Sequence, residues 1–428
     1  MSMIIVLGSR DSALLRYICH VRALSEDMRG LMKSRVLDFS NPLVLISLSQ
    51  LTLSMAFTLT DPILPLYASS FNISYTLVGL VMSSFGFTRI FCEIPGGLLM
   101  NRIGRKSLLI IGFVVSSISQ VIAGVAQSYI ELAISRMMIG VGSALELTAS
   151  LTLIGDMSTK EDRQRNIARY QGAATSAQII GPIIGGVISD IAGLRSIFFI
   201  SALLCAIGVL VVSRIRIQDE SKLDKSKSLV PAAFDFKRTL GDLRVVAVSA
   251  SAFAMFLLFS SIRGTMIPLY GAGVLDLNST EIGLIFSCTS LTIFLVLFFV
   301  TNRLERVFGR ARLLSISLLV CSLAVLTISL SSDFTTFVIA SIPLGVGFGL
   351  LQPIPFAMII DLSEPVNRGL MMGTLRTIAD LGIIIGPTSV GWLMSLDQPL
   401  WVFYLISAIV GAFSLLTWTV FRRPRKDD

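Results

Sequence analysis

This chain has little charge. Only 14% of its residues are Asp, Glu, Lys or Arg, where a soluble domain carries about 25%. It has one histidine, His20, near its start. That all but removes histidine-based metal binding and acid–base chemistry. The five cysteines, Cys19, Cys92, Cys205, Cys288 and Cys321, are scattered, and no spacing among them suits a metal site or a disulfide framework. No nucleophile–base pair and no phosphate-binding loop stands out, so neither an enzyme nor a cofactor is expected. The opening residues do not read as a secretory signal: the apolar run Met3–Gly8 is too short, and polar residues follow it.

What the chain has in abundance is apolar length. Hydrophobic residues make up 54%, and mean hydropathy is +0.81. Repeated apolar stretches of about 20 residues mean membrane-spanning helices. Twelve are expected, near 43–68, 77–100, 107–127, 130–154, 171–192, 195–214, 244–270, 281–301, 312–331, 334–360, 368–393 and 400–421. The net charge of +8 could suggest nucleic acid, but its placement argues otherwise. Thirty of the 35 Lys and Arg fall in the two end segments and in alternate loops. The opposite loops hold one, Arg195, and four lie within spans: Arg89, Arg136, Arg263 and Arg376. This alternation is the positive-inside pattern and predicts both termini in the cytoplasm. The expected partners are therefore the lipid bilayer, a small-molecule substrate and a proton, with no nucleic acid. The setting is the cell membrane, and the chain is expected to act as a monomer.

The spans repeat. Residues 140–186 recur at 345–391, with fourteen of 47 aligned pairs identical. Gly140-Val141-Gly142 matches Gly345-Val346-Gly347, Asp156 matches Asp361, and Gly181-Pro182 matches Gly386-Pro387. Pro65-Leu66-Tyr67 matches Pro268-Leu269-Tyr270, and Gly104-Arg105 matches Gly309-Arg310. The chain thus divides into a tail (1–42), six spans (43–214), a polar linker (215–243), six spans (244–421) and a short tail (422–428). Two similar halves can rock about a central site, as many secondary transporters do.

Three motifs give the repeat a family. The loop after the second span reads Gly97-Leu98-Leu99-Met100-Asn101-Arg102-Ile103-Gly104-Arg105-Lys106. It resembles the Gly-x-x-x-Asp-Arg-x-Gly-Arg-Arg/Lys signature of the major facilitator superfamily, with Asn101 in place of the usual Asp. The glycines suit a tight turn and close helix approach, and the basic residues suit helix C-terminal carbonyls and carboxylates. The fourth span carries Arg136-x-x-x-Gly140-x-Gly142, similar to a second signature linked in that family to proton coupling. The fifth carries Gly172, then eight residues, then Gly181-Pro182-Ile183-Ile184-Gly185-Gly186. This is similar to the antiporter signature, and its small residues are expected to pack against the opposite half. The resemblance implies an all-α fold of two six-helix bundles around a central cavity. It is closest to the twelve-helix drug:proton antiporters.

The charges within the spans mark candidate sites. Arg89 and Glu93 are four apart, as are Arg376 and Asp380, so each pair shares a helix face. By the resemblance, the two faces meet across the halves and form a gating network. Two independent intrahelical pairs are the alternative. Asp61 and Arg263 occupy nearly equivalent repeat positions and are expected to interact near the outer gate. Glu146, about midway along its span, is the first candidate for the proton carrier, with Asp61 second. Gln178 and Gln352 are candidate cavity groups. The expectation is proton-driven export of small amphipathic or cationic compounds. An uptake symporter for a sugar, organic acid or amino acid, with Arg136 and Arg263 on an anionic substrate, stays open, as does a non-transporting membrane sensor.

Overall fold

A computed structural model describes residues 41–159, 162–215, 242–363, 368–396 and 398–422. The expected tail and linker lie almost wholly outside these. The described residues form twelve long apolar helices. In chain order they are α1 (Pro42–Thr60), α2 (Tyr75–Ile103), α3 (Arg105–Val125), α4 (Tyr129–Met157), α5 (Arg163–Ala192) and α6 (Ser196–Ser213). The second set is α7 (Leu243–Gly273), α8 (Ser279–Phe308), α9 (Arg310–Ser329), α10 (Phe334–Asp361), α11 (Arg368–Met394) and α12 (Pro399–Arg422). Each matches one expected span. The largest differences are α1, which ends at Thr60 rather than near 68, and α5, which starts at Arg163 rather than near 171. Its first two turns are polar, so hydropathy alone ends the span too early.

Local chemistry sets the helix ends. Asn41 caps α1 and Ser74 caps α2 by accepting backbone N–H bonds. Asn278 with Glu281, and Asp333 with Thr336, form reciprocal capping boxes at α8 and α10. Those Thr336 bonds hold the exposed Asp333 carboxyl below its usual range. Gly104 and Gly309 take φ of 87° and 74° at equivalent turns, where a side chain would be strained. Regular helix fails in four places. Asp61-Pro62-Ile63 breaks α1 before the short segment Leu64–Ser69. Phe259–Met266 of α7 and Val296–Thr301 of α8 are π-helical, and α10 breaks at Gln352-Pro353.

Packing repeats as the sequence does. In the first half α1 packs on α5 and α6, α2 on α4, and α3 on α4 and α6. In the second, α7 packs on α11 and α12, α8 on α10, and α9 on α10 and α12. Across the halves, α2 meets α11 and α5 meets α8. The two cores reveal which end is closed. One runs through the second half and continues into Ile63, Leu64, Tyr67, Val78 and Ile197, at the end far from the chain termini. The other, built on Leu45, Leu53, Leu109, Phe113 and Leu153, stays within the first half, toward the termini end. Among the described residues, the halves therefore share a core only at the far end.

Candidate functional site

Glycines make the far-end seal. A β-carbon on Gly79 of α2 would collide with the Pro387 carbonyl of α11, and one on Gly391 with the Tyr75 carbonyl. The same arrangement recurs between α8 and α5: Gly283 faces the Pro182 carbonyl, and Gly186 the Ser279 carbonyl. Gly181 and Gly185 instead press α5 onto Thr58 and Leu59 of α1, inside their own half. The antiporter-like stretch thus splits between two contacts. Gly172 meets nothing within 4 Å, so close packing does not explain it here. Asp190, four residues beyond Gly186, accepts bonds from Ser279 N (3.1 Å), Thr280 N (2.8 Å) and Thr280 Oγ1 (2.6 Å). It caps α8 from the other half. Sequence reading missed it, because Asp190 sits beside a helix end and looks like an ordinary surface acid.

At the termini end the basic turns are tied down. Arg105 pairs with Asp156 at 2.8 Å, and the equivalent Arg310 pairs with Asp361 and, at 2.6 Å, with Glu305. Lys106 donates to the carbonyls of Ser213 (2.8 Å) and Ile215 (2.7 Å), at the end of α6. That is the expected use of a cation at a helix C-terminus. Arg102 is exposed, and the Asn101 side chain lies outside what is described. Gly97 meets nothing within 4 Å, so close helix approach does not account for it.

Between the two ends, four charges cross the halves. Arg89 Nε lies 3.3 Å from Glu93 Oε1 and 3.6 Å from Asp380 Oδ2. Arg376 Nε lies 3.5 Å from the same Glu93 oxygen. The expected intrahelical pair Arg376–Asp380 does not form. Each partner finds the opposite charge on α2 instead, since packing α2 against α11 brings those groups closer.

Glu146 is 3% exposed. Its Oε1 accepts from Ser150 Oγ (2.8 Å) and Tyr170 OH (3.0 Å), and Gly112 of α3 leaves room for its side chain. It therefore sits among α3, α4 and α5, inside one half rather than between the two. Asp61 occupies the break in α1 and lies within electrostatic reach of both Arg136 and Arg263. Neither forms a direct ion pair with it among the described residues, so the expected Asp61–Arg263 contact is looser than a salt bridge. Arg136 rests over the Phe85 ring at 5.1 Å. Arg263, 4% exposed, rests over Phe286 (4.6 Å) and Phe259 (5.0 Å) and donates to Ser290 Oγ at 2.8 Å. Gln178 is half-buried on α5, and Gln352 is exposed at the α10 break. The three aromatic rings, Ser290 and Tyr170 were not foreseen, because nothing in the sequence says which helix faces meet.

This architecture matches a known group. The family model of the Major Facilitator Superfamily matches residues 46–280 and 248–428. The chain belongs to the major facilitator superfamily. It is a multi-pass protein of the cell membrane. Among similar superfamily members, Multidrug resistance protein 1 of Bacillus subtilis (strain 168) is 22% identical over 364 residues, covering 84% of this chain and 92% of that protein. Quinolone resistance protein NorA of Staphylococcus aureus (strain COL) is 21% identical over 353 residues, covering 80% and 88%. A bacterial homolog of the human lysosomal transporter Spinster, solved inward-facing and unoccupied, shares the superfamily fold with a TM-score of 0.74. It is 16% identical, covering 91% of this chain and 99% of that one.

Proposed function

We propose that this superfamily member is a proton-coupled antiporter that exports small amphipathic or cationic compounds by alternating access. It works as a monomer, with the termini end in the cytoplasm and without an enzymatic step. The observation that carries this reading is Asp61. It is a carboxylate within a spanning segment, at a helix break, near two arginines that it does not pair with directly. Such a group can hold either a proton or the positive part of a cargo, and competition between the two is exchange. Arg136 and Arg263 are the charged groups within electrostatic reach of it. Glu146 serves as a second proton site inside the first half. The names of the two drug-resistance relatives support the direction of transport. The four-charge crossing of α2 and α11 lies midway between the ends and is made while the far end is sealed, so it serves as a tether between the halves.

The test uses inverted membrane vesicles with a preset pH gradient. Adding a transported drug should collapse the gradient, and Asp61→Asn should abolish that response. A wild-type protein that moves no protons with any of a broad drug set would overturn the proposal. An uptake symporter would instead accumulate solute in whole cells.

A further inference from the structure

The internal repeat extends to the outer helices, and one failure of it leaves a groove. In the first half, Ser117 Oγ of α3 donates to the Ala202 carbonyl of α6 at 2.9 Å. In the second half the equivalent residues join α9 to α12: Ser322 Oγ donates to the Ser407 carbonyl, also at 2.9 Å. Both positions keep the offset of 205 seen in the sequence. At the termini end the match stops. Lys106 crosses from the start of α3 and holds the Ser213 and Ile215 carbonyls of α6. Its equivalent on α9 is Ala311, and the equivalents of Ser213 and Ile215 are Trp418 and Val420. A methyl group stands where a lysine fills the first crevice.

The second crevice is open. A cavity of about 170 Å³ lies between α9 and α12, lined by Ala311, Arg312, Ser315, Trp418, Phe421 and Arg422. A single water needs only about 10–15 Å³ of such space, so a polyatomic group fits. Two guanidiniums on one cavity suit a phosphate, to which each offers a fork of N–H donors. Ser315 adds a hydroxyl whose bond to the Ala311 carbonyl is long, at 3.4 Å. Tryptophan favours the level of lipid headgroups, and Phe421 supplies an apolar wall. One helical turn deeper on the same faces, Leu319 follows Ser315 and Leu415 precedes Trp418. Both leucines are exposed, as an acyl chain alongside them requires.

We propose that this groove binds one anionic glycerophospholipid of the surrounding bilayer. Its phosphate sits between Arg312 and Arg422, and its chains run past Leu319 and Leu415. Basic pockets between spanning helices are a recurring way of holding such headgroups. The site lies on helices that carry none of Asp61, Arg136, Glu146 and Arg263, so it stands whether or not the antiporter reading does.

The chain has three tryptophans, and two of them, Trp392 and Trp401, are exposed on other turns. Replacing both by Phe leaves Trp418 as the reporter. The experiment reconstitutes this protein in vesicles and measures quenching of Trp418 by phosphatidylglycerol or phosphatidylcholine with brominated chains. Each brominated lipid is mixed with the unbrominated form of the other, which gives relative affinities. Phosphatidylglycerol should bind about tenfold tighter, the worth of one hydrogen bond to a charged group. Arg312→Gln and Arg422→Gln should each lose most of that preference. Ala311→Leu keeps both arginines but fills the groove, and should lose it as well. Arg165→Gln removes an exposed charge at the termini end of the first half and should leave it unchanged. Equal quenching by the two lipids would overturn the proposal. So would a preference retained in Ala311→Leu, or an equal loss in Arg165→Gln, which would mean general surface charge. Displacement of the lipid by free glycerol phosphate would overturn it too, since the site would then take a soluble anion. Should a variant fail to fold, native mass spectrometry of the wild-type chain in mixtures of the two lipids still decides between equal and preferential binding.

Discussion

Asp380 has no solvent-exposed surface, and its counter-charge comes from Arg89 on the other half. A buried ion pair adds little net stability, yet removing one partner leaves a bare charge. Arg89→Leu should therefore destabilise the protein by about 3–5 kcal/mol. Adding Asp380→Leu should recover most of that loss, as read by thermal unfolding in detergent. Glu146 behaves differently. Glu146→Gln preserves an oxygen that accepts from Ser150 and Tyr170, so the fold should persist while drug-driven proton movement in vesicles falls. Tyr170→Phe removes one of the two donors and should cost about 1–3 kcal/mol. The sequence made these charges legible as costly groups within spans, and it made Arg89 and Glu93 legible as helical neighbours. It did not reveal Tyr170, and it suggested that the four charges meet across the halves only through the family resemblance, without saying which would pair. Both depend on which faces of distant helices meet, and twelve nearly uniform apolar helices carry little signal of rotation.

Among the elements, α5 and α8 form the most informative pair. Asp190 reaches across from α5 and satisfies backbone donors at the start of α8, a favourable place for a carboxylate. The equivalent contact between α2 and α11 is a neutral bond, Thr76 Oγ1 to Ser395 Oγ, at 3.1 Å. Asp190→Ala should therefore weaken far-end closure. Spin labels on the exposed residues Ile191 and Val274 should report longer distances than in the wild type. The spans were readable, because apolar length acts locally, but the first was expected to run unbroken over 43–68 and the break at Pro62 was not anticipated. The π-helical segment of α7 was not readable either, since it contains no proline and its sequence fits an ordinary helix. It has its effect through packing against α11, where Ser260 Oγ donates to the Gly382 carbonyl at 2.9 Å.

For the whole molecule, the repeat read from the sequence extends to packing, to the Arg105–Asp156 and Arg310–Asp361 ties, and to the glycine seal. Gly79→Ala and Gly283→Ala occupy equivalent places in that seal. Each should bias the protein toward an open far end, to a similar degree in the same label measurement. The repeat fails at Glu146, Arg136 and Arg376, which face Leu351, Ser341 and Gln171 in the alignment. The scaffold is symmetric and the charges are not.

The paired glycine contacts carry a kinetic consequence. In both, backbone meets a carbonyl with no side chain between them to flex, so neither contact can loosen gradually. Two stiff seals on either side of one joint must break in the same event. Reporters placed separately on α2–α11 and on α5–α8 should therefore relax with one shared rate constant after a pH jump. Two distinct rates would mean that the halves bend as they turn.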